Sequence, residues 1–157
     1  MRIILRIVLI ILIVGFVVVQ FFQPEKNEGQ ITDNDILRYH NVPENIAVIL
    51  KESCFDCHSN NTRYPLYDRV APVSWMVNDH IREGKHELNF SEWGEMDIFD
   101  KITTLDEIAR ETKRKAMPLK SYKIMHPKAR LSDEQIAAIE KWTTELGEEL
   151  LKNSISE

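Results

Sequence analysis

The only two cysteines of this 157-residue chain lie three residues apart, in the pentapeptide Cys54-Phe55-Asp56-Cys57-His58. Thiols with this spacing lie on one side of a helical turn, where each can add to one vinyl group of the same porphyrin. The imidazole that follows is then carried over one face of the ring and can ligate its iron. The spacing C-x-x-C-H is the attachment signature of haem c. The pentapeptide therefore predicts one covalent haem c per chain, held by Cys54, Cys57 and His58.

Other uses of a closely spaced cysteine pair meet specific objections. A thioredoxin-like dithiol belongs to a βαβ unit, and the sequence has no such pattern. A disulfide across two intervening residues closes too short a loop to add much stability. A structural zinc ion needs four ligands, and His80 and His86, separated by five residues, have the spacing to complete a site with Cys54 and Cys57. Zinc therefore stays open as the alternative metal.

The iron of an electron carrier also needs a sixth ligand, and a thioether sulfur raises its reduction potential. Met117 precedes Pro118, and proline disfavours helical backbone at the preceding residue, so Met117 is expected on an extended loop. A methionine held there is our predicted iron ligand opposite His58. Met76 is expected on an apolar helix face, where core packing is the default. The remaining alternatives for the sixth position are Met125, His126 and His80.

The first segment of the chain is compositionally unlike the rest. From Ile3 to Phe22 it is almost entirely apolar, and about 20 helical residues reach roughly 30 Å, the hydrocarbon thickness of a bilayer. Arg2 and Arg6 orient such a span with its N-terminus inside. Bulky residues at the end of the run do not suit signal peptidase, which favours an uncleaved anchor over a cleaved signal. We predict a single-pass anchor over residues 1–23 in the cytoplasmic membrane.

The remaining chain is predicted as a short polar linker over residues 24–35 and one domain over residues 36–152, on the periplasmic side. Prolines or capping boxes mark four helix starts, at Pro43, Pro72, Thr104 and Ser132. The second of these helices is expected to stop at Gly84 and the third near Ala116. The last carries an apolar stripe at three- and four-residue steps: Ile136, Ile139, Trp142, Leu146 and Leu150. No alternating run predicts a strand, so the expected class is all-α.

The charge balance narrows the possible partners. A net charge of -5 gives no reason to expect nucleic acid, whose phosphates require clustered Lys and Arg. The expected partners are the membrane and a redox protein of unknown identity. Trp75 and Trp93 are assigned either to the wall of the haem site or to the core. Arg63 and Arg69 are assigned either to the haem propionates or to solvent.

Several stretches resemble the bacterial haem-binding-domain family, whose members are small, membrane-anchored and similar to c-type cytochromes. The resemblance covers about 37–145. The stretches that carry it are Cys54-Phe55-Asp56-Cys57-His58-Ser59-Asn60, Tyr64-Pro65, Ala71-Pro72-Val73-Ser74-Trp75, Leu88-Asn89-Phe90-Ser91-Glu92-Trp93 and Met117-Pro118-Leu119-Lys120-Ser121-Tyr122. It implies haem binding and a cytochrome-c-like helical fold, and it names no substrate.

These observations favour a membrane-anchored monohaem c-type cytochrome that transfers one electron outside the cytoplasmic membrane. Beyond the pentapeptide no Ser/His/Asp set, phosphate loop or carboxylate pair stands out, so a non-enzymatic carrier is expected and an enzyme is left open. The alternative is a haem-based sensor or small peroxidase whose sixth iron site is open or displaceable.

Overall fold

The chain is all-α over residues 1–155, the range that the computed structural model describes, and this confirms the predicted class. Three short 3-10 helices and one isolated bridge, between Glu28 and Asn61, complete the regular structure of that range. The α-helices are α1 (Arg2–Val19), α2 (Ile36–Tyr39), α3 (Glu44–Ser53), α4 (Phe55–His58), α5 (Val73–Glu87), α6 (Ile98–Lys113), α7 (Lys120–Met125) and α8 (Asp133–Ile155).

The core lies between α3, α6, α8 and the 3-10 helix Phe90–Glu95. Helices α6 and α8 run antiparallel: Lys113 at the end of α6 pairs with Glu140 near the start of α8 at 2.6 Å, and Leu105, earlier in α6, lies beside Gly147, further along α8. Apolar side chains from all four elements fill the space between them, because each helix buries one stripe. They are Ile46, Ile49, Leu50, Phe90, Trp93, Leu105, Ile108, Ile139, Trp142 and Leu146, with Ile36 from α2.

Three of the four predicted helix starts are confirmed, and α5 begins directly after Pro72. Helix α3 begins directly after Pro43 and leads into Cys54. Helix α8 begins with the predicted capping box: Ser132 N donates to Gln135 Oε1 at 2.9 Å, and Gln135 N donates to Ser132 Oγ at 3.2 Å. Two backbone N–H groups at the helix start, which have no partner within the helix, are thereby satisfied.

The predicted start of α6 at Thr104 is wrong. The helix begins two turns earlier, because the Asp97 carboxylate accepts hydrogen bonds from the backbone N–H groups of Phe99 and Asp100, at 2.8 and 2.9 Å. Aspartate is among the best N-cap residues, so the earlier cap takes precedence over the later capping-box pattern. The end lies close to the prediction, at Lys113.

The predicted stop of α5 at Gly84 is also wrong, because the helix continues to Glu87. Gly84 serves a different purpose, as the point where α5 packs against α4. A Cβ on Gly84 would lie 2.7 Å from the carbonyl oxygen of Cys57 and 3.1 Å from its Cβ. Glycine lets two backbones approach where any side chain would collide. The absence of a side chain therefore brings α5 against the second cysteine of the pentapeptide.

Helix α1 stands apart from this packing. It is the one helix of residues 1–155 that is long and apolar enough to cross a membrane, with a mean hydropathy of 2.9, and none of its residues is buried.

The segment predicted as a linker, residues 24–35, is hydrogen-bonded to the domain. Asn27 donates from its backbone to Tyr64 Oη at 2.7 Å and from its side chain to Ser59 O and Thr62 Oγ1 at 2.8 and 2.9 Å.

Replacing Gly84 with alanine tests the close approach of α5 to α4. The added methyl meets backbone rather than a flexible side chain, so Gly84→Ala should destabilise the protein by about 1–3 kcal/mol. Gly147→Ala is the matched control, since its Cβ would meet nothing nearer than 4.0 Å. That change should stabilise α8 by up to about 1 kcal/mol through helix propensity. Denaturant unfolding of both variants measures the difference; effects of the same sign would contradict the packing argument.

Candidate functional site

A cavity of about 610 Å³ opens beside the pentapeptide. Its walls come from α4, from the inner face of α5, and from the loop and helix that include Met117 and α7. Ligand sites in proteins occupy about 300–1,000 Å³, so this cavity has the size of a cofactor site. Eight of the cysteine, histidine and methionine residues discussed above line the cavity: Cys54, Cys57, His58, Met76, His80, Met117, Met125 and His126.

The two cysteines reach the cavity from one short helical segment. Cys54 lies at the joint between α3 and α4, and Cys57 lies one turn further on, inside α4. They are not joined to each other. Burial, with a smaller effect of the neighbouring cysteine, raises the pKa of the Cys54 thiol to about 12. Burial and the charge of Asp56 raise the pKa of Cys57 to about 11, so both are protonated thiols at neutral pH.

The imidazole of His58 is oriented by a backbone carbonyl. Its Nδ1 lies 3.1 Å from the carbonyl oxygen of Leu88, directly after α5. An Nδ1–H donated to a carbonyl fixes the tautomer and leaves Nε2 with its lone pair free, the arrangement common for metal-ligating histidines. Burial lowers the pKa of His58, which favours the neutral ring that can donate that lone pair.

The predicted sixth ligand lies in the same cavity. Met117 is outside any helix, in the loop between α6 and α7, which confirms the loop that its proline predicted. The alternatives Met125, His126 and His80 line the cavity as well. The expected core packing of Met76 is wrong: its side chain is half exposed and lies on the cavity wall. Secondary structure alone did not reveal that this face of α5 borders a cavity.

A buried carboxylate inside the pentapeptide ties the cavity walls together. Asp56 is buried, and its Oδ2 accepts a hydrogen bond from the Tyr122 hydroxyl at 2.6 Å. Its Oδ1 accepts from Arg63 Nε at 3.0 Å and Arg63 N at 3.2 Å. Burial and the hydrogen bond to Asp56 raise the pKa of Tyr122, so its hydroxyl stays protonated and acts as the hydrogen-bond donor. The tyrosine ring stacks on His126, with ring centroids 4.0 Å apart.

Sequence reasoning missed this network. Asp56 occupies a variable position of the C-x-x-C-H pattern, and Tyr122 follows it by 66 residues, so no local spacing connects them. A signal was available in the residue type, since an acidic side chain between two cysteines that must be buried needs a donor partner. Nothing in the sequence indicates which donor supplies it.

The structure separates the alternatives for the tryptophans and arginines. Trp93 belongs to the core, whereas Trp75 is partly exposed and lies outside both the core and the cavity lining. Arg63 lines the cavity but is engaged with Asp56 and, at 3.1 Å, with Glu52. Arg69 is exposed and is not part of the lining.

The donor chemistry of the cavity suits haem better than zinc. Within residues 1–155 no three His, Cys, Asp or Glu side chains are grouped so that they could hold a metal ion. His86, which the zinc alternative requires, is exposed and lies beside Glu87. A predominantly apolar cavity with one oriented imidazole at its edge matches what haem needs: a water-excluding space and a nitrogen ligand for the iron.

One family comparison matches the chain. Residues 14–145 match the family described as Haem-binding domain. No curated protein and no solved structure gives a significant match to the chain. The matched range includes the end of α1, the cavity and most of α8. Since this range is well over half of its length, the chain belongs to the Haem-binding domain family and binds haem.

Proposed function

We propose that the chain is a membrane-anchored monohaem c-type cytochrome that carries one electron outside the cytoplasmic membrane. The observation that carries the proposal is the meeting of Cys54, Cys57 and His58 at the edge of one apolar cavity. A haem held without covalent bonds would need no such pair of thiols. Bound haem supplies the one-electron redox chemistry, and the protein supplies attachment, ligands and exclusion of water.

The protein residues divide these tasks between them. Cys54 and Cys57 would hold the haem through two thioether bonds, since each thiol could add its sulfur and hydrogen across one vinyl group. His58 would bind the iron through Nε2, since the Leu88 carbonyl holds its Nδ1. Met117, which lines the same cavity, would supply the sulfur ligand. A thioether at this position raises the reduction potential, which suits an electron carrier.

Helix α1 supports the proposed location. Its 18 residues extend about 27 Å at 1.5 Å per residue, close to the roughly 30 Å hydrocarbon thickness of a bilayer. Arg2 and Arg6 near its start favour an N-terminus on the cytoplasmic side and translocation of the rest. The domain then lies on the periplasmic side, where a redox partner protein of unknown identity can reach it.

Removal of both thiols tests the covalent attachment. The double variant Cys54→Ala/Cys57→Ala, made in a host with an intact haem c attachment system, should lose the haem stain on a denaturing gel, because no sulfur remains to bond the vinyl groups. Met76→Leu, which changes another sulfur of the same cavity, should keep the stain. Stain retained by the double variant would contradict thioether attachment.

Replacement of cavity methionines tests the sixth ligand. Met117→Leu should abolish the red charge-transfer band of a methionine-ligated ferric haem, lower the reduction potential and admit carbon monoxide to the reduced iron. Met125→Leu and Met76→Leu, matched controls in the same cavity, should leave all three properties unchanged. Loss of the band in Met125→Leu instead would move the ligand to that residue. Carbon monoxide binding to the wild type as fast as to Met117→Leu would favour the sensor or peroxidase alternative.

A further inference from the structure

Exposed apolar side chains gather where α1 meets the domain. We call this group the anchor-side rim; it consists of Phe21, Phe22, Val70 and Trp75, whose exposed fractions are 82%, 67%, 43% and 38%. A direct bond joins its two halves, since Trp75 Nε1 donates to the carbonyl oxygen of Phe22 at 2.6 Å. Contiguous exposed apolar groups mark interaction surfaces, and this one is continuous with α1.

A second contact fixes the position of the domain along the axis of α1. Gln20, the C-cap residue of α1, forms two hydrogen bonds with the backbone of Ala71. Its Nε2 donates to the Ala71 carbonyl oxygen at 3.1 Å, and its Oε1 accepts from the Ala71 N–H at 2.9 Å. The start of the α5 region is therefore held at the level where α1 ends.

The chain that follows α1 runs alongside α5. After the Phe22–Trp75 bond, Asn78 donates to the Glu25 carbonyl oxygen at 3.4 Å, and Lys85 donates to the Asn27 side chain at 2.9 Å. Five extended residues advance about 16 Å and ten helical residues about 15 Å, so the two segments stay in register. This arrangement leaves no free tether between the helix and the domain.

We propose that the anchor-side rim lies in the interfacial layer of the bilayer, so that the haem-binding domain is docked on the lipid surface. The inference rests on the proposed role of α1 as a membrane anchor, because that role puts Gln20 at the edge of the hydrocarbon. Tryptophan is enriched at this depth, where its ring is apolar and its N–H is polar. Arg69, beside the rim, makes no ion pair within residues 1–155 and is available to a lipid phosphate.

Docking in this orientation has a consequence for the haem cavity. Met76 follows Trp75 directly and lines the cavity. The edge of the cavity at Met76 therefore lies within about one helical turn, 5.4 Å, of the lipid surface. An electron partner that reaches this edge of the cavity approaches along the membrane rather than from the bulk periplasm.

Spin-label accessibility in the full-length, haem-loaded chain tests the docking. Val70→Cys carries the label at the anchor-side rim, and Val48→Cys, an exposed valine on α3, carries it in the control. Both proteins are reconstituted in vesicles of phosphatidylcholine and phosphatidylglycerol. The label at position 70 should relax more with oxygen than with a water-soluble nickel complex, and the label at position 48 should show the reverse order. Equal accessibility to nickel at both positions would overturn the docking.

Two further controls separate this inference from the function on which it rests. Unsubstituted protein should take up no label, since both native thiols are bonded to haem; uptake would contradict the attachment. Release of the chain from vesicles by alkaline carbonate would contradict the anchor itself.

Gln20→Ala should raise the nickel accessibility of the label at position 70, whereas Gln23→Ala, whose side chain bonds only Gln20 O, should not. If Gln20→Ala left the nickel accessibility of this label unchanged, the Gln20–Ala71 hydrogen bonds would not be what holds the domain at the lipid surface.

Discussion

The packing of α5 against α4 is the contact on which the haem site depends. Gly84 leaves room for the Cys57 carbonyl, which lies only 2.7 Å from where a side chain would begin. The same approach brings the end of α5 next to the pentapeptide, so that the Leu88 carbonyl reaches His58 Nδ1. One small residue thus links backbone packing to the orientation of the His58 imidazole. A looser contact would leave the imidazole free to rotate, and ligand geometry of that kind governs both affinity and potential.

The wall of the cavity that α7 forms is held by electrostatics rather than by apolar packing. Helix α7 is short and has no buried residue, so few core contacts restrain it. The bond from Tyr122 to the buried Asp56 ties this helix directly to the segment that carries the two cysteines. Charge-assisted hydrogen bonds to a desolvated carboxylate are stronger than neutral ones. The loop with Met117 precedes α7 immediately, and this bond therefore restrains it relative to the pentapeptide.

Local chemistry decided which features the sequence could predict. The capping box at Ser132 and the loop at Met117 each depend on residues adjacent in the chain, and both lie as expected. Features that depend on distant partners were missed. The role of Gly84 requires knowledge of what packs against it, and the bonds of residues 24–35 to the domain require knowledge of where Tyr64 lies. The start of α6 was predicted wrongly because two N-cap signals, at Asp97 and at Thr104, lie close together in the sequence, and residue propensity alone does not decide between them.

The central claim is that both sulfurs are bonded to a single haem. Intact-mass analysis of the unsubstituted chain, after denaturation and treatment with a thiol alkylating reagent, tests it directly. The account predicts a mass equal to the polypeptide plus one haem, with no alkylation. A mass equal to the polypeptide alone, with two alkyl groups added or with the two cysteines oxidised to a disulfide, would contradict it.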